Sequence, residues 1–387
     1  MVKMIPYGRQ FLDKEDIINV NNVLKSNYLT QGAYVPNFEK LLQLKVKVKY
    51  AVACNSATSA LHIACLSLDL KKNDIVWTSP NSFIASANCA EYCGAKVDFV
   101  DINFNTGNID IEFLKEKLET ANKKNKLPKI LIPVHFAGNP TNQEAIHKLS
   151  KKYGFKIIED ASHSLGSSNK SNKIGSCKFS DITVFSFHPV KSITSAEGGA
   201  ATTKSYKLYK KMQSFRIHGV ENKKNLYNKS YCAFTQTYLG YNYRLSDLHA
   251  SLGISQLAKL DKFIKERNKI AKKYDKIFEN TNIQKLETSK NCTSSYHLYV
   301  IRPIEYKKNY SNYKTIKFFR NINIGVNCHY FPIHLQPYYK KKGFKIGDFP
   351  NSEKHGRLSI SIPIFVGLSN KLQIETAKKI LKYFNEL

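Results

Sequence analysis

From about residue 50 the chain alternates between short apolar runs and longer amphipathic stretches. The runs cover residues 75–78, 97–100, 130–134, 156–159 and 182–185 and are rich in β-branched and aromatic side chains. That composition predicts buried strands. Between them, residues 82–93, 111–122 and 143–153 carry apolar positions at helical spacing. Strand and helix in alternation predict an α/β fold, with a mainly parallel central sheet covered on both faces. Ligands of such sheets sit outside the carboxyl ends of the strands. Those ends are where chemistry is sought.

The flanks complete the plan. Asp13 suits an N-cap, and residues 16–24 have helical apolar spacing before a polar turn, Asn27-Tyr28-Leu29-Thr30-Gln31-Gly32. One long helix is predicted over about 246–278, with Ser246 as its N-cap. A strand over 294–303 and an amphipathic helix over 370–386 follow. The expected division is an N-terminal arm and large domain over 1–250 and a smaller C-terminal α/β domain over 251–387.

Four strand ends carry candidate chemistry. Ser186 ends one run and Lys191 follows five residues later, ahead of Glu197-Gly198-Gly199-Ala200. A cofactor aldehyde needs such an amine for a Schiff base, and a hydroxyl nearby can bind its phosphate. Ser56-Ala57-Thr58 opens a helix after a short strand, so free N–H groups of Ala57 and Thr58 can hold an anion. Asp160 ends the run 156–159. A carboxylate there can keep a pyridine nitrogen protonated, and His163 can contact the ring oxygen. Phe83, after a further strand, fits either the core or a stack on a cofactor ring. The Asn242 amide, in an aromatic turn before the long helix, can donate to a phosphate. Each feature is ordinary alone. Together, in their order along the chain, they describe one pyridoxal 5′-phosphate (PLP) site.

Composition narrows the alternatives. The formal charge is +30 over 387 residues, which invites a nucleic-acid reading. The lysines are spread along the chain, however, and no zinc finger, RNA-recognition motif or long basic tail is present. The plentiful Lys, Asn, Ile, Tyr and Phe match the codon bias of an AT-rich genome. No nucleic-acid partner is expected. Eight cysteines lie scattered without metal-ligand spacing, so buried free thiols are expected and no metal. No apolar run approaches the ~18 residues of a membrane helix, and the N-terminus has no signal-peptide pattern. These features predict a cytoplasmic protein without membrane insertion.

Residues 55–61, Glu159-Asp160-Ala161-Ser162-His163, residues 185–191, Glu197-Gly198-Gly199-Ala200 and residues 240–247 closely resemble the motifs of the DegT family of PLP-dependent sugar aminotransferases. The match covers nearly the whole chain. The resemblance implies a type I PLP-transferase fold (aspartate aminotransferase-like) and a homodimer with shared active sites. It assigns Lys191 as the catalytic, cofactor-bearing lysine and Asp160 as the partner of the pyridine nitrogen. His163 stands where relatives often have Gln. Ala57, Thr58 and Ser186 would hold the phosphate, Asn242 would reach it from the partner chain, and Phe83 would stack on the ring.

Residues 29–32, 107–110, 136–139, 217–219 and His329-Tyr330 are most similar to the family members of pseudaminic acid biosynthesis. That similarity implies a UDP-linked 4-keto-6-deoxy sugar as acceptor and L-glutamate as donor. Tyr7, Asn27, Tyr28, Leu29, Thr30, Asn327, Cys328, His329 and Tyr330 would line the sugar-nucleotide pocket. Where relatives often have Lys-Pro after His-Tyr, this chain has Phe331-Pro332. Arg9, Arg216 and Arg244 are candidates for the donor carboxylates. The rivals are an aminotransferase for another nucleotide-linked 4- or 3-keto sugar, a PLP-dependent dehydrase, and a regulatory or nucleic-acid-binding protein on the same fold. Dehydrase relatives replace the lysine by histidine, which Lys191 disfavours.

Overall fold

The structure, a computed structural model, describes residues 4–221, 235–289, 291–308 and 310–386. Cys232 lies outside them. The other seven cysteines are free thiols.

Seven strands form the large sheet: β1 (Tyr50–Cys54), β2 (Ile75–Thr78), β3 (Lys96–Phe99), β4 (Ile130–Ile132), β5 (Lys156–Asp160), β6 (Ile182–Ser186) and β7 (Gly199–Thr203). Their order is β1-β7-β6-β5-β4-β2-β3. From β6 across to β3 the pairing is parallel, as the strand–helix alternation predicts. Strand β7 runs antiparallel to both β6 and β1. Its Gly-Ala-Ala-Thr-Thr sequence has no apolar run, so no periodicity announces it.

Helices α1 (Lys14–Leu24) and α2 (Tyr34–Val46) precede the sheet, α3 (Ala57–Ser67), α4 (Ala85–Glu91), α5 (Ile111–Lys123) and α6 (Gln143–Tyr153) lie within its span, and α7 (Tyr206–Arg216) follows it. Neighbouring residues of β6 feed opposite faces, as strand geometry requires. Ile182 and Val184 join the core under α3 and α4 with Ile63, Val76 and Phe99. Phe185 and Phe187 join Phe38 and Leu42 of α2 on the other side. Burial on both faces explains the near-continuous hydrophobicity of these strands.

The helix predicted over 246–278 is two helices, α8 (Asp247–Ala258) and α9 (Leu260–Ile277). Lys259 ends one and starts the other. Its ammonium reaches Asp13 at 2.7 Å and Asp16 at 2.8 Å, the two residues of the α1 capping box. That long-range ion pair marks the break, and no local glycine or proline signals it.

The last third carries a second, antiparallel sheet: β8 (Ile283–Lys285), β9 (Tyr299–Pro303) and β10 (Ile360–Ile362). The strand expected over 294–303 is thus confined to its second half. Helices α10 (Asn312–Asn321) and α13 (Asn370–Asn385) cover this sheet around Tyr274, Phe319, Ile362 and Phe384. The N-terminal arm joins it too, since Ile5 exchanges backbone hydrogen bonds with Asn323 and Gly325. Residues around α11 (Pro337–Lys340) and α12 (Pro350–Leu358) turn back to the large sheet, where Tyr339 and Phe349 pack on Phe99. Among the described residues no helix is long and apolar enough to cross a membrane.

Candidate active site

A cavity of about 470 Å³ opens at the carboxyl ends of β5 and β6. One wall is the start of α3. Ser56 caps that helix by accepting the Ser59 N–H at 3.1 Å. Ala57 and Thr58 line the cavity at the first helical positions, so their N–H groups have no partner within the helix. Gly199 of β7 lies directly behind. A side-chain carbon there would overlap the Ala57 backbone nitrogen, so only glycine lets the strand and the helix start meet.

Asp160 ends β5 and is buried. One carboxylate oxygen accepts the Ser86 hydroxyl at 2.6 Å and the other accepts the Ser162 N–H at 3.0 Å. The Ser86 hydroxyl hydrogen is engaged by Asp160, so Ser82, 2.7 Å away, donates to Ser86. The chain Ser82–Ser86–Asp160 fixes the carboxylate in place. Its neighbour Glu159 points to the other face of the strand and accepts hydrogen bonds from Gln143 and Thr183. Burial pushes the Glu159 carboxyl upward, yet His135 and these hydrogen bonds hold it below its ordinary value.

Ser186 ends β6. Its hydroxyl lies 3.4 Å from the His188 N–H. Lys191 follows in a turn closed by its own N–H on the His188 carbonyl at 2.9 Å. Burial lowers the Lys191 ammonium to about 8, against the opposing pull of Asp160. A minor but useful share of this amine, roughly a fifth, is therefore neutral near physiological pH, and the neutral form is the nucleophile.

His163 is buried and accepts the Ala137 N–H through Nδ1 at 3.2 Å. Burial first, and the Lys191 cation second, hold the ring well below its ordinary pKa. The neutral ring therefore carries its proton on Nε2, which faces the Tyr330 hydroxyl at 3.1 Å. The His297 ring lies 4.3 Å away.

The opposite wall belongs to residues 327–330. Asn327 and Ser361 exchange backbone hydrogen bonds, tying this wall to the small sheet. His329 accepts or donates at Ser361 Oγ, 2.8 Å away, and burial lowers it to about 3. Tyr330 donates its N–H to Asn81 at 3.1 Å. Tyr7, from the arm, lies against the His329 ring at 5.1 Å. Burial raises the Cys328 thiol to about 11.

The structure thus brings together Tyr7, Ala57, Thr58, Phe83, Asp160, His163, Ser186, Lys191, Asn327, Cys328, His329 and Tyr330. Phe83 is 57% exposed at the mouth, not core. Asn27, Tyr28, Leu29, Thr30 and Asn242 are exposed and do not line this chain's cavity. Arg216 is not free for a donor carboxylate, because it pairs with Glu39 at 2.5 Å and the Ala53 carbonyl at 2.9 Å. Sequence reasoning missed Ser82, Ser86 and His297. The signal for Ser86 is a serine amid small residues in the helix that follows β2. Nothing in the local sequence marks His297.

These groups suit PLP by their chemistry. Two N–H donors and a hydroxyl line one part of the cavity, a carboxylate another, and a partly neutral amine stands within reach of that carboxylate. They match a phosphate, a pyridine nitrogen and an aldehyde. Among the described residues no cluster of His, Cys, Asp or Glu has metal-holding geometry.

The model of the DegT/DnrJ/EryC1/StrS aminotransferase family matches residues 10–381. A Campylobacter jejuni protein named UDP-4-amino-4,6-dideoxy-N-acetyl-beta-L-altrosamine transaminase is 40% identical over 93% of this chain and 92% of its own. Helicobacter pylori PseC, an aminotransferase involved in pseudaminic acid biosynthesis, superposes with a TM-score of 0.89 at 32% identity, covering 100% of both chains. A provisionally named sugar aminotransferase of Streptococcus pneumoniae, solved in its PLP form, superposes with a TM-score of 0.88 at 26% identity, covering 99% of each chain. The fold is that of the type I PLP transferases, and the chain belongs to the DegT/DnrJ/EryC1/StrS aminotransferase family.

Proposed function

We propose that this enzyme transfers the amino group of L-glutamate to C4 of UDP-2-acetamido-2,6-dideoxy-β-L-arabino-hexos-4-ulose. The products are UDP-4-amino-4,6-dideoxy-N-acetyl-β-L-altrosamine and 2-oxoglutarate, a step of pseudaminic acid biosynthesis. The observation that carries the choice of acceptor is the 40% identity, over nearly the whole chain, to the C. jejuni transaminase of that name. The enzyme acts as a cytoplasmic homodimer, with a large domain over 1–250 and a small one over 251–387.

The cofactor is PLP, which when bound supplies an aldehyde for amines and a ring that spreads negative charge. Lys191 is its attachment point. Released from that attachment, the Lys191 amine would be free to take up a proton at Nζ and return it. Asp160, held by Ser86, keeps the ring nitrogen protonated. Ala57, Thr58 and Ser186 bind the phosphate, joined by Asn242 of the partner subunit. His163 serves the ring oxygen, and Phe83 covers the ring at the mouth. Tyr7 and Asn327, Cys328, His329 and Tyr330 bound the sugar.

The cavity alone is small for a cofactor and a whole nucleotide sugar. A second cavity of about 670 Å³ adjoins it, sharing Ser82, Phe83, Cys328 and Tyr330, and gives the nucleotide room.

Incubation with glutamate and a panel of UDP-4-keto sugars tests this reading, with product configuration read by NMR. The L-altro product with one 2-oxoglutarate per turnover is expected. Amination of a different keto sugar in preference to this one would overturn the acceptor assignment.

A further inference from the structure

Asp247 is the first residue of α8 and is fully buried. Its own helix does not need its carboxylate, because Ser246 already caps α8 by accepting the His249 N–H at 3.3 Å. The Asp247 carboxylate turns away instead. Oδ2 accepts the Gly32 N–H at 2.6 Å, and Oδ1 accepts the Val35 N–H at 3.0 Å. The Asp247 N–H in turn donates to the Leu29 carbonyl at 3.0 Å. Together these bonds clamp residues 29–35 onto the start of α8.

Val35 belongs to the first turn of α2, whose N-cap Ala33 offers no side-chain acceptor. Asp247 therefore caps α2 from more than two hundred residues away in the chain. Two helix N-termini converge on one carboxylate, and both favour its negative charge. Gly32 completes the clamp. A side-chain carbon there would overlap Asp247 Oδ2.

What hangs from the clamp is an exposed turn. Tyr28 is 65% and Leu29 48% exposed, and the turn does not line the active-site cavity of its own chain. Asn242 is anchored separately. Its neighbours Tyr241 and Tyr243 donate their N–H groups to Phe215 at 2.8 Å and Arg216 at 3.0 Å. Releasing the clamp frees the turn and leaves the Asn242 segment in place.

We propose that Asp247 is a positioning residue for the nucleotide-sugar half of the reaction. By holding residues 29–35 against α8, it sets where Asn27, Tyr28, Leu29 and Thr30 meet the sugar nucleotide in the cavity of a second copy of the chain. This rests on the acceptor and shared-site dimer proposed above.

The test uses the holoenzyme with Asp247→Asn, which keeps the shape and turns one acceptor into a donor facing an N–H. Two quantities are read apart: the spectral change of bound cofactor with glutamate alone, and the KM for the UDP-4-keto sugar. The sugar KM should rise about tenfold or more, while the glutamate half-reaction stays within about twofold. Gly32→Ala, which crowds the clamp from the other side, should match it, and carries the test if Asp247→Asn is insoluble. In mixed dimers of Asp247→Asn with Lys191→Ala chains, the cavity that keeps Lys191 receives an intact turn. Its sugar KM should return to the wild-type value. An unchanged KM overturns the proposal, as does a hybrid whose KM stays high. Loss of both half-reactions together with melting temperature also overturns it, since that marks a purely structural role. Wild-type enzyme that aminates none of the UDP-4-keto sugars would fail the functional reading itself, before any variant is made.

Discussion

In the function proposed above, the cofactor side of the cavity and its sugar side draw on different parts of the chain. The cofactor side comes from strand ends and one helix start between residues 54 and 199, all borne by the large sheet. Its groups are held by short, buried contacts: Ser86 on Asp160, Ala137 on His163, Gly199 against Ala57. The sugar side is assembled from the arm at Tyr7 and the stretch 327–330, both bonded to the small sheet or its neighbours. The difference separates two tasks. Chemistry common to all amino donors and acceptors is fixed by the stiffest elements, while recognition is left to loops that can change without disturbing it.

Substitutions on the two sides should therefore differ in kind. On the cofactor side both half-reactions must fall together, whereas the Asp247 clamp touches only one. The largest effect is expected from Lys191→Ala: turnover with either substrate falls about a thousandfold or more, and the visible absorbance of bound cofactor disappears. A variant that keeps both would remove Lys191 from its role. Next comes Ser86→Ala, which strips a charge-assisted hydrogen bond from Asp160. A loss of about tenfold or more in kcat is expected in each half-reaction, with the sugar KM unchanged. A change confined to the sugar KM would place Ser86 on the wrong side of the comparison. The smallest effect is on pH. Burial depresses the Lys191 pKa to about 8, so the reactive neutral amine gains as pH rises through that value. The rate of PLP uptake by apoenzyme should climb about tenfold between pH 7 and 9 and then level off. An uptake rate still climbing steeply above pH 10 would show an ordinary, solvent-exposed lysine.

The same division explains what was legible in the sequence. Asp160 and Ser186 end apolar runs, and the strand–helix alternation alone places them at the carboxyl ends of neighbouring strands. Ala57 and Thr58 follow a short strand and a capping serine, a local signal again. Strand β7 is invisible because small residues carry no hydrophobic pattern, although the glycine pair at its start is conspicuous. The break at Lys259 and the clamp at Asp247 are long-range polar contacts, and no window of neighbouring residues contains both partners. Asn81 enters the site in the same way through Tyr330, and His297 enters by packing its ring on distant His163. Asn27 to Thr30 and Asn242 stand apart from a single chain's cavity, so their part rests on the family resemblance rather than on local pattern.

The missing side chain at Gly199 has a consequence for substrate size. Strand and helix start touch backbone to backbone, so the span from the helix start at Ala57 to the end of β6 is set by peptide geometry. No repacking of side chains can stretch it, and a bulkier sugar has to be admitted at the other end of the cavity.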